Sequence, residues 1–355
     1  PREKYVEVMD GDIGYWVAEE LSESLSSNFD FKKPSLGRSK TGQEISGWKT
    51  QHPFIDRESP ILTADYVTME SGTGCVHIAP GHGLDDYLTG IENGLEVYCP
   101  LTDFGTYVDD GMIPSVLVGV SVLEKSMGYP ANDRVLEILE SKNALLAKHN
   151  HHHQYPHCWR SKTPVVFRAM DQWFISLDQN GLRDRCIKSI EEVSFTPDWG
   201  RNRIRGFLEC RPDWCISRQR SWGVPIPVFY DQDGEPLLNS DLILFLADKI
   251  EKGGTDLWFE LSSDKLLEGF TLPAEWKGKE LKKGTDTLDV WIDSGCSHRA
   301  VLKKMSDLDW PADLYLEGSD QHRGWFQSSL WTGMISDKQA PYQRILTHGF
   351  VVDGD

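Results

Sequence analysis

The chain has 355 residues with 37 Lys and Arg against 55 Asp and Glu, a formal net charge of -18, and 39% hydrophobic residues that include 13 Trp, 14 Phe and 11 Tyr. That apolar content excludes a disordered polymer and suffices for two or three domain cores, while the acidic balance excludes a generally basic, nucleic-acid-coating surface. No transmembrane span, signal peptide or disulfide framework is expected either: no apolar run reaches about eighteen residues, the opening Pro1-Arg2-Glu3-Lys4 has no signal-peptide pattern, and seven irregularly spaced cysteines form no C-x-x-C.

A cytoplasmic protein is the expectation from this composition. Tyr5, Val6 and Val8, then Gly11-Asp12, then Ile13, Tyr15 and Val17 predict a β-hairpin. Val17, Leu21 and Leu25 have helical spacing over 16–27. Short alternating runs at 61–62, 66–69, 75–78 and 97–99 predict strands of a compact β-rich domain, closed by a helix over 133–147. The glycine-rich run 72–83 followed by Leu84-Asp85-Asp86-Tyr87 lacks the lysine and ordering of a phosphate loop. It reads instead as a turn presenting His77, His82, Asp85 and Asp86 to a pocket, with Asp85 capping a helix that begins near Leu84. Taken alone, a histidine in a strand is a core or surface residue.

The tract 149–158 is rich in histidine and ends in Cys158, residue types that suit zinc, but it has no paired spacing and no second cysteine cluster. We read it as a solvated connector, and expect no metal ligands in this chain. Arg201, Arg203, Arg205, Arg211, Arg218 and Arg220 then fall in a stretch with few acids. Two readings stay open there: a local basic surface for a phosphate-bearing partner, or a set of arginines paired with acids elsewhere. Asp233-Gly234 is a turn, 241–251 an amphipathic helix, and 231–285 reads as an insertion. A strand over 287–293 follows it.

The polar knot of the chain is Glu317-Gly318-Ser319-Asp320-Gln321-His322, between a short strand around Leu314, Tyr315 and Leu316 and an apolar helix over 323–335. At the carboxyl end of a strand in a parallel sheet, loop donors and helix N-terminal N–H groups converge on ligands. Glu317 and Asp320 suit an ammonium or ribose hydroxyls, Gly318 admits a flat ligand, and Gln321 and His322 add neutral donors and acceptors. The plain alternative is a loop capping the helix, with Asp320 as N-cap.

Four stretches, in this order, resemble one family: Gly72 to Tyr87, Trp214 to Pro225, Asp289-Val290-Trp291-Ile292-Asp293-Ser294-Gly295, and Tyr315 to Phe326. Together they are similar to class I isoleucyl-tRNA synthetases. The resemblance implies an α/β fold, with a β-barrel-like editing domain inserted in a Rossmann-type parallel-sheet catalytic domain of which the second half is present. The expected divisions are 1–155 for editing, 156–230 for the return to the catalytic domain, 231–285 for the insertion and 286–355 for the second catalytic half. A chain that opens without Met in a strand pair and stops after a strand reads as an internal segment of a longer protein.

The resemblance also implies function: isoleucine is activated with ATP and Mg²⁺ and transferred to its tRNA by a monomeric enzyme. Trp291 and Trp325 would wall the isoleucine side chain, Glu317, Gly318, Asp320 and Gln321 would contact the aminoacyl-adenylate, and His348 would lie near the adenosine. For the two tryptophans, ordinary core packing is the plain alternative. One methylene in an apolar pocket is worth only ~1–3 kcal/mol, a limit for which isoleucyl-tRNA synthetase is itself the standard case, so misattached valine is hydrolysed at a second site. There the resemblance assigns Asp86 to the ammonium of the misattached amino acid and His77 to exclusion of the larger side chain. The family's two ATP-phosphate motifs are not in the 355 residues, so this chain by itself is expected not to form isoleucyl-adenylate. Valyl- and leucyl-type synthetases are the neighbouring readings, and a non-catalytic module holding tRNA or a nucleotide is the alternative from another class.

Overall fold

The structure, a computed structural model, describes residues 1–29, 31–70, 72–123, 129–150 and 152–354. Two compact units divide the chain, Pro1–Met170 and Asp171–Asp355. His151 of the histidine-rich tract and Asp355 lie outside the described residues.

In the first unit the predicted hairpin forms. Strand Lys4–Asp10 pairs antiparallel with Ile13–Ala18, and Asp10 opposite Ile13 leaves Gly11 and Asp12 as the loop. Gly11 has φ +64°, the left-handed backbone that glycine adopts without strain. Ser35–Thr41 pairs on the other edge of Lys4–Asp10, with a bulge between Val6 and Val8. Tyr5, Val6, Val8, Val17, Ala18, Leu21, Leu25 and Ile45 form this unit's core. Two hydrogen bonds tie the glycine-rich loop to it: Tyr5 Oη donates to the Gly74 carbonyl at 2.7 Å and Ala18 N to the Thr73 carbonyl at 2.9 Å.

Three local expectations for this unit need correction. The helix expected over 16–27 begins only at Ser22, because Trp16 and Val17 are β-formers held in the ladder opposite Glu7 and Val6. The runs at 61–62, 66–69, 75–78 and 97–99 form no ladders, and the second ladder joins Lys49–Gln51 to Glu58–Pro60. The helix expected over 133–147 spans Pro130–Ser141, with Pro130 in its first turn, where a missing N–H costs nothing. Among the described residues, this unit's named strands form one three-stranded sheet and one two-stranded ladder.

The second unit is built on a parallel sheet in the order Tyr315–Gly318, Arg344–His348, Ser194–Thr196. Strand Tyr315–Gly318, helix Trp325–Ser336 and strand Arg344–His348 make one βαβ crossover. The helix is buried almost all round, from Phe326 to Met334, and packs with Tyr315, Ile345, Phe195, Leu182, Ile204 and Leu208 in one core. The strand carrying Glu317 stands at an edge of the described sheet, and the strand ending in His348 is central.

Residues 231–285 enclose their own core of Leu237, Leu242, Leu246, Trp258, Leu266 and Leu281. A short ladder of Phe229–Tyr230 against Lys282–Lys283 closes their neck. Within it the expected amphipathic helix spans Ser240–Gly253 and is capped by Asn239, whose side chain accepts from Leu242 N at 2.9 Å. The strand expected over 287–293 is cut to Thr287–Leu288, after which Val290–Gly295 is helical. Asp289 decides this: its carboxylate accepts from Trp291 N at 3.3 Å and starts the helix in spite of the β-forming Val-Trp-Ile run.

A buried histidine gives this unit a pH-dependent stability. His298 is 1% exposed, and Trp310 Nε1 donates to its Nδ1 at 3.1 Å. An indole only donates, so Nε2 carries the ring proton and faces Thr332 Oγ1 at 3.2 Å. Burial pushes the pKa down to about 4. The unfolded chain takes up this proton below about pH 6.5, while the folded one refuses it down to about 4. Stability is therefore full above pH 6.5 and falls through that window by on the order of 3 kcal/mol. Urea midpoints followed by tryptophan fluorescence from pH 7.5 to 4.5 are expected to fall accordingly, and His298→Gln should flatten the slope. Equal slopes in the two proteins would remove His298 from this role.

Candidate functional site

The second unit's site is built at the carboxyl ends of adjacent parallel strands, where Gly318 lies opposite His348. Glu317 Oε2 accepts from Gly318 N at 3.0 Å and stands 3.9 Å from His348 Nε2. The next four residues form a 3-10 turn, Ser319–His322, with Gly318 at its N-cap position and no side-chain cap. Asp320 is thus inside the turn, and the plain capping alternative for it does not hold. A Cβ on Gly318 would lie 2.8 Å from Asp320 Oδ1, so the glycine leaves that carboxylate its place.

Gln321 is committed at both ends of its amide. Its Oε1 accepts from Trp325 N at 2.8 Å, tying down the start of the following helix, and its Nε2 donates to Asp320 Oδ2 at 2.9 Å. His322 is fully buried, with Nδ1 3.0 Å from the Ser319 carbonyl and Nε2 3.5 Å from Thr347 Oγ1. Burial holds its pKa down, so it serves the turn as a neutral brace.

Trp291 reaches the same place from helix Val290–Gly295. That helix lies close against Trp325–Ser336, because a Cβ on Gly295 would meet the Ser328 carbonyl oxygen at 2.9 Å. Thr332 Oγ1 also donates to the Gly295 carbonyl at 2.6 Å. Gly324 matters likewise: a Cβ there would sit 3.0 Å from the Trp291 ring.

Trp291, Asp320, Gln321 and Gly324 line one cavity of about 700 Å³ with Arg211, Trp214, Arg218, Asp289 and Arg323. Glu317, Gly318 and His348 adjoin it at the strand ends but are not in its lining. Trp325 packs away from it, stacked on Tyr315 at 4.0 Å and donating from Nε1 to the Ser294 carbonyl at 3.0 Å. Of the two tryptophans, Trp291 faces the cavity and Trp325 takes the core alternative.

The cavity's back wall was not legible as a site. Asp289 is buried and holds three groups: Trp214 Nε1 at 3.1 Å, Arg218 Nη2 at 3.0 Å and Trp291 N. Arg211 Nη1 donates to Gln327 Oε1 at 2.8 Å, across 116 positions of sequence. Burial first, and then the charge of Arg323, lowers the Arg211 pKa. The arginine-rich stretch divides evenly: Arg201 and Arg205 bind Glu191, Arg205 also approaches Glu209, and Arg218 binds Asp289, whereas Arg203, Arg211 and Arg220 have no acidic partner among the described residues.

The first unit places its candidates around the glycine-rich turn. Asp86 Oδ2 accepts from Ala79 N at 3.1 Å, which folds the start of helix Leu84–Glu92 back over the turn. Gly83, with no side chain to offer, is the N-cap, so Asp85 does not cap this helix. Both aspartates lie in its first turn, where the helix dipole favours them. His77 is exposed, and His82 Nδ1 lies 2.9 Å from the Phe167 carbonyl. Gly81 admits no side chain, since a Cβ would fall 2.2 Å from the Tyr98 carbonyl oxygen. Among the described residues, no group of three or more His, Cys, Asp or Glu is arranged to hold a metal ion, and no helix is long and apolar enough to cross a membrane.

A parallel βαβ unit with a polar turn at its strand ends, beside a cavity lined by Trp291, defines an α/β protein with a candidate strand-end site. The sequence matches the tRNA synthetases class I (I, L, M and V) over residues 7–355, and the chain belongs to that family. Within it, the chain is 45% identical over 353 residues to an isoleucine--tRNA ligase of Thermoanaerobacter sp. (strain X514), covering 97% of this chain and 36% of that protein. Similar matches are the isoleucine--tRNA ligases of Methylacidiphilum infernorum (isolate V4), 51% identical over 89% of this chain and 33% of the relative, and of Kosmotoga olearia, 46% identical over 99% and 38%. The chain thus spans about a third of the length of these relatives. Among solved structures, a ternary complex of Agrobacterium radiobacter K84 agnB2 LeuRS with tRNA and LeuAMS aligns with 99% of this chain and 40% of its own, at 14% identity and a TM-score of 0.29.

Proposed function

We propose that this chain carries the aminoacyl-adenylate cleft and the editing region of a synthetase that activates isoleucine with ATP and attaches it to tRNA. The observation that supports this best is the convergence of Trp291, Asp320 and Gln321 with three guanidinium groups on one cavity at the carboxyl ends of parallel strands. Asp320, held by Gln321, takes the α-ammonium, and Trp291 forms the apolar wall for the side chain. Glu317, Gly318 and His348 meet the ribose and adenine end, and Trp325 supports the turn from behind. Residues up to about 155 are assigned to a barrel-like editing domain, 156–230 and 286–355 to the catalytic domain, and 231–285 to an insertion.

A magnesium ion fits this cleft only as the nucleotide's own companion. Asp289 is already used by three donors, and among the described residues no group of three or more His, Cys, Asp or Glu is arranged to cage a metal ion. Mg²⁺ keeps waters and phosphate oxygens as ligands in such sites, and would balance phosphate charge as ATP is attacked. The protein's own share is to hold the isoleucine carboxylate in line with the α-phosphate and to exclude water.

In the editing region, Asp86 fixes the ammonium of a misattached valine and His77 crowds out isoleucine. Because Asp86 also braces Ala79 N, a pair of variants separates charge from scaffold. In the complete synthetase that contains this chain, Asp86→Asn keeps an oxygen for Ala79 N but loses the charge. Both it and Asp86→Ala are expected to slow hydrolysis of valyl-tRNA specific for isoleucine by about 10²-fold, leaving isoleucine activation unchanged. Parental deacylation by Asp86→Asn would reduce Asp86 to a structural brace.

A further inference from the structure

Beneath the cleft, helix Trp325–Ser336 turns two buried donors into the same small space. Gln327 and Trp331 are each 1% exposed and stand four positions apart, on one face of the helix. The guanidinium of Arg211 only donates, so the Gln327 amide must present its oxygen to Arg211 and its NH₂ away from it. Neither Gln327 Nε2 nor Trp331 Nε1 has a hydrogen-bond partner in the protein. Both residues line a cavity of about 10 Å³ beside Arg211, Arg323 and Trp291, a size that suits about one water-sized atom.

We infer that this cavity is a small-anion subsite, built for one halide or one carboxylate oxygen. The sign follows from the lining. Two side-chain N–H donors and two guanidinium groups line the space against one hydroxyl, that of Ser328, whose proton goes to the Trp325 carbonyl, and the buried carboxylate nearby, Asp289, is already taken by Trp214, Arg218 and Trp291 N. A water there needs acceptors for its own two hydrogens, and an anion needs none. Leaving two buried donors unmet is costly, and an anion between them would meet both. The lowered pKa of Arg211, from burial and then from Arg323, is the mark of a cation short of counter-charge. Because the subsite lies under Trp291 and Gly324, its occupant stiffens the wall of the larger cavity and lends it a charge-balanced floor.

The test uses the chain itself and bromide as the probe. At constant ionic strength, with methanesulfonate as the replacing anion, bromide should change the tryptophan fluorescence saturably, and crystals grown in bromide should show anomalous density within hydrogen-bond distance of Gln327 Nε2 and Trp331 Nε1. Gln327→Glu supplies its own carboxylate to Arg211 and should lose both signals while raising the melting temperature. Trp331→Phe should weaken bromide binding about tenfold, the effect of one hydrogen bond. Competition by acetate assigns the subsite to a carboxylate oxygen, and its absence assigns it to a halide. Non-saturable quenching, a bromide response that survives in Gln327→Glu, or density without anomalous signal overturns the proposal, and none of these depends on the enzyme's substrate.

Discussion

Asp289→Ala is expected to cost about 3–5 kcal/mol of stability, the range for removing one partner from a buried, fully used charge. The carboxylate is buried and serves as acceptor for three donors, two from the stretch Trp214 to Arg218 and one from the helix it caps. Its loss strands the indole N–H of Trp214, itself 3% exposed, leaves Arg218 without its counter-charge, and uncaps the helix that carries Trp291. Asp289→Asn keeps one acceptor oxygen and the cap, so it should fall between the parent and the alanine variant. Urea midpoints from tryptophan fluorescence measure both. Indistinguishable midpoints for the parent and Asp289→Ala would contradict the three-way anchoring of the cavity wall.

The second large effect is expected on chemistry. In the complete synthetase, Asp320→Ala should lower kcat/KM for isoleucine-dependent pyrophosphate exchange by about 10²–10³-fold, the loss of one preorganised charge at the substrate ammonium. Gly318 leaves room for this carboxylate and Gln321 Nε2 holds one of its oxygens, so the other is free for the substrate. Gln321→Glu keeps the shape but sets two carboxylates side by side, and should also be impaired although its oxygen can still accept from Trp325 N. Unchanged kcat/KM in Asp320→Ala, with the fold intact, would move the ammonium site elsewhere.

How much of this was readable in advance follows the range of the interactions. The strand before Glu317, the buried helix after it, the helix Ser240–Gly253 and the Gly11-Asp12 hairpin rest on contacts a few residues apart, and periodicity and turn chemistry exposed them. Helix Val290–Gly295 was hidden because Val-Trp-Ile favours a strand, and one capping carboxylate reverses that preference. In the first unit, alternating runs promised strands, yet the described residues among 61–83 form none, since glycine-rich turns and loop hydrogen bonds such as Tyr5 to Gly74 set their path.

Site residues divide the same way. Asp320, Gln321 and Trp291 belong to motifs that can be read in place, and they line one cavity. Arg211 and Gln327 are drawn together from distant positions, and no local pattern marks which arginine ends opposite a glutamine and which opposite an acid. Trp325 lies in the most legible motif of the chain, yet its orientation depends on stacking with Tyr315, a contact that spacing does not reveal.

The central claim, that this chain carries an isoleucine-activating cleft, is tested most directly by pyrophosphate exchange in the complete synthetase containing residues 1–355, with isoleucine, valine and leucine compared side by side. Exchange should be driven best by isoleucine, more weakly by valine, which lacks one methylene against the Trp291 wall, and least by leucine, whose branch lies one carbon further out. Trp291→Ala should narrow the difference between isoleucine and valine. Exchange driven equally well by leucine, or an isoleucine preference untouched by Trp291→Ala, would contradict the account.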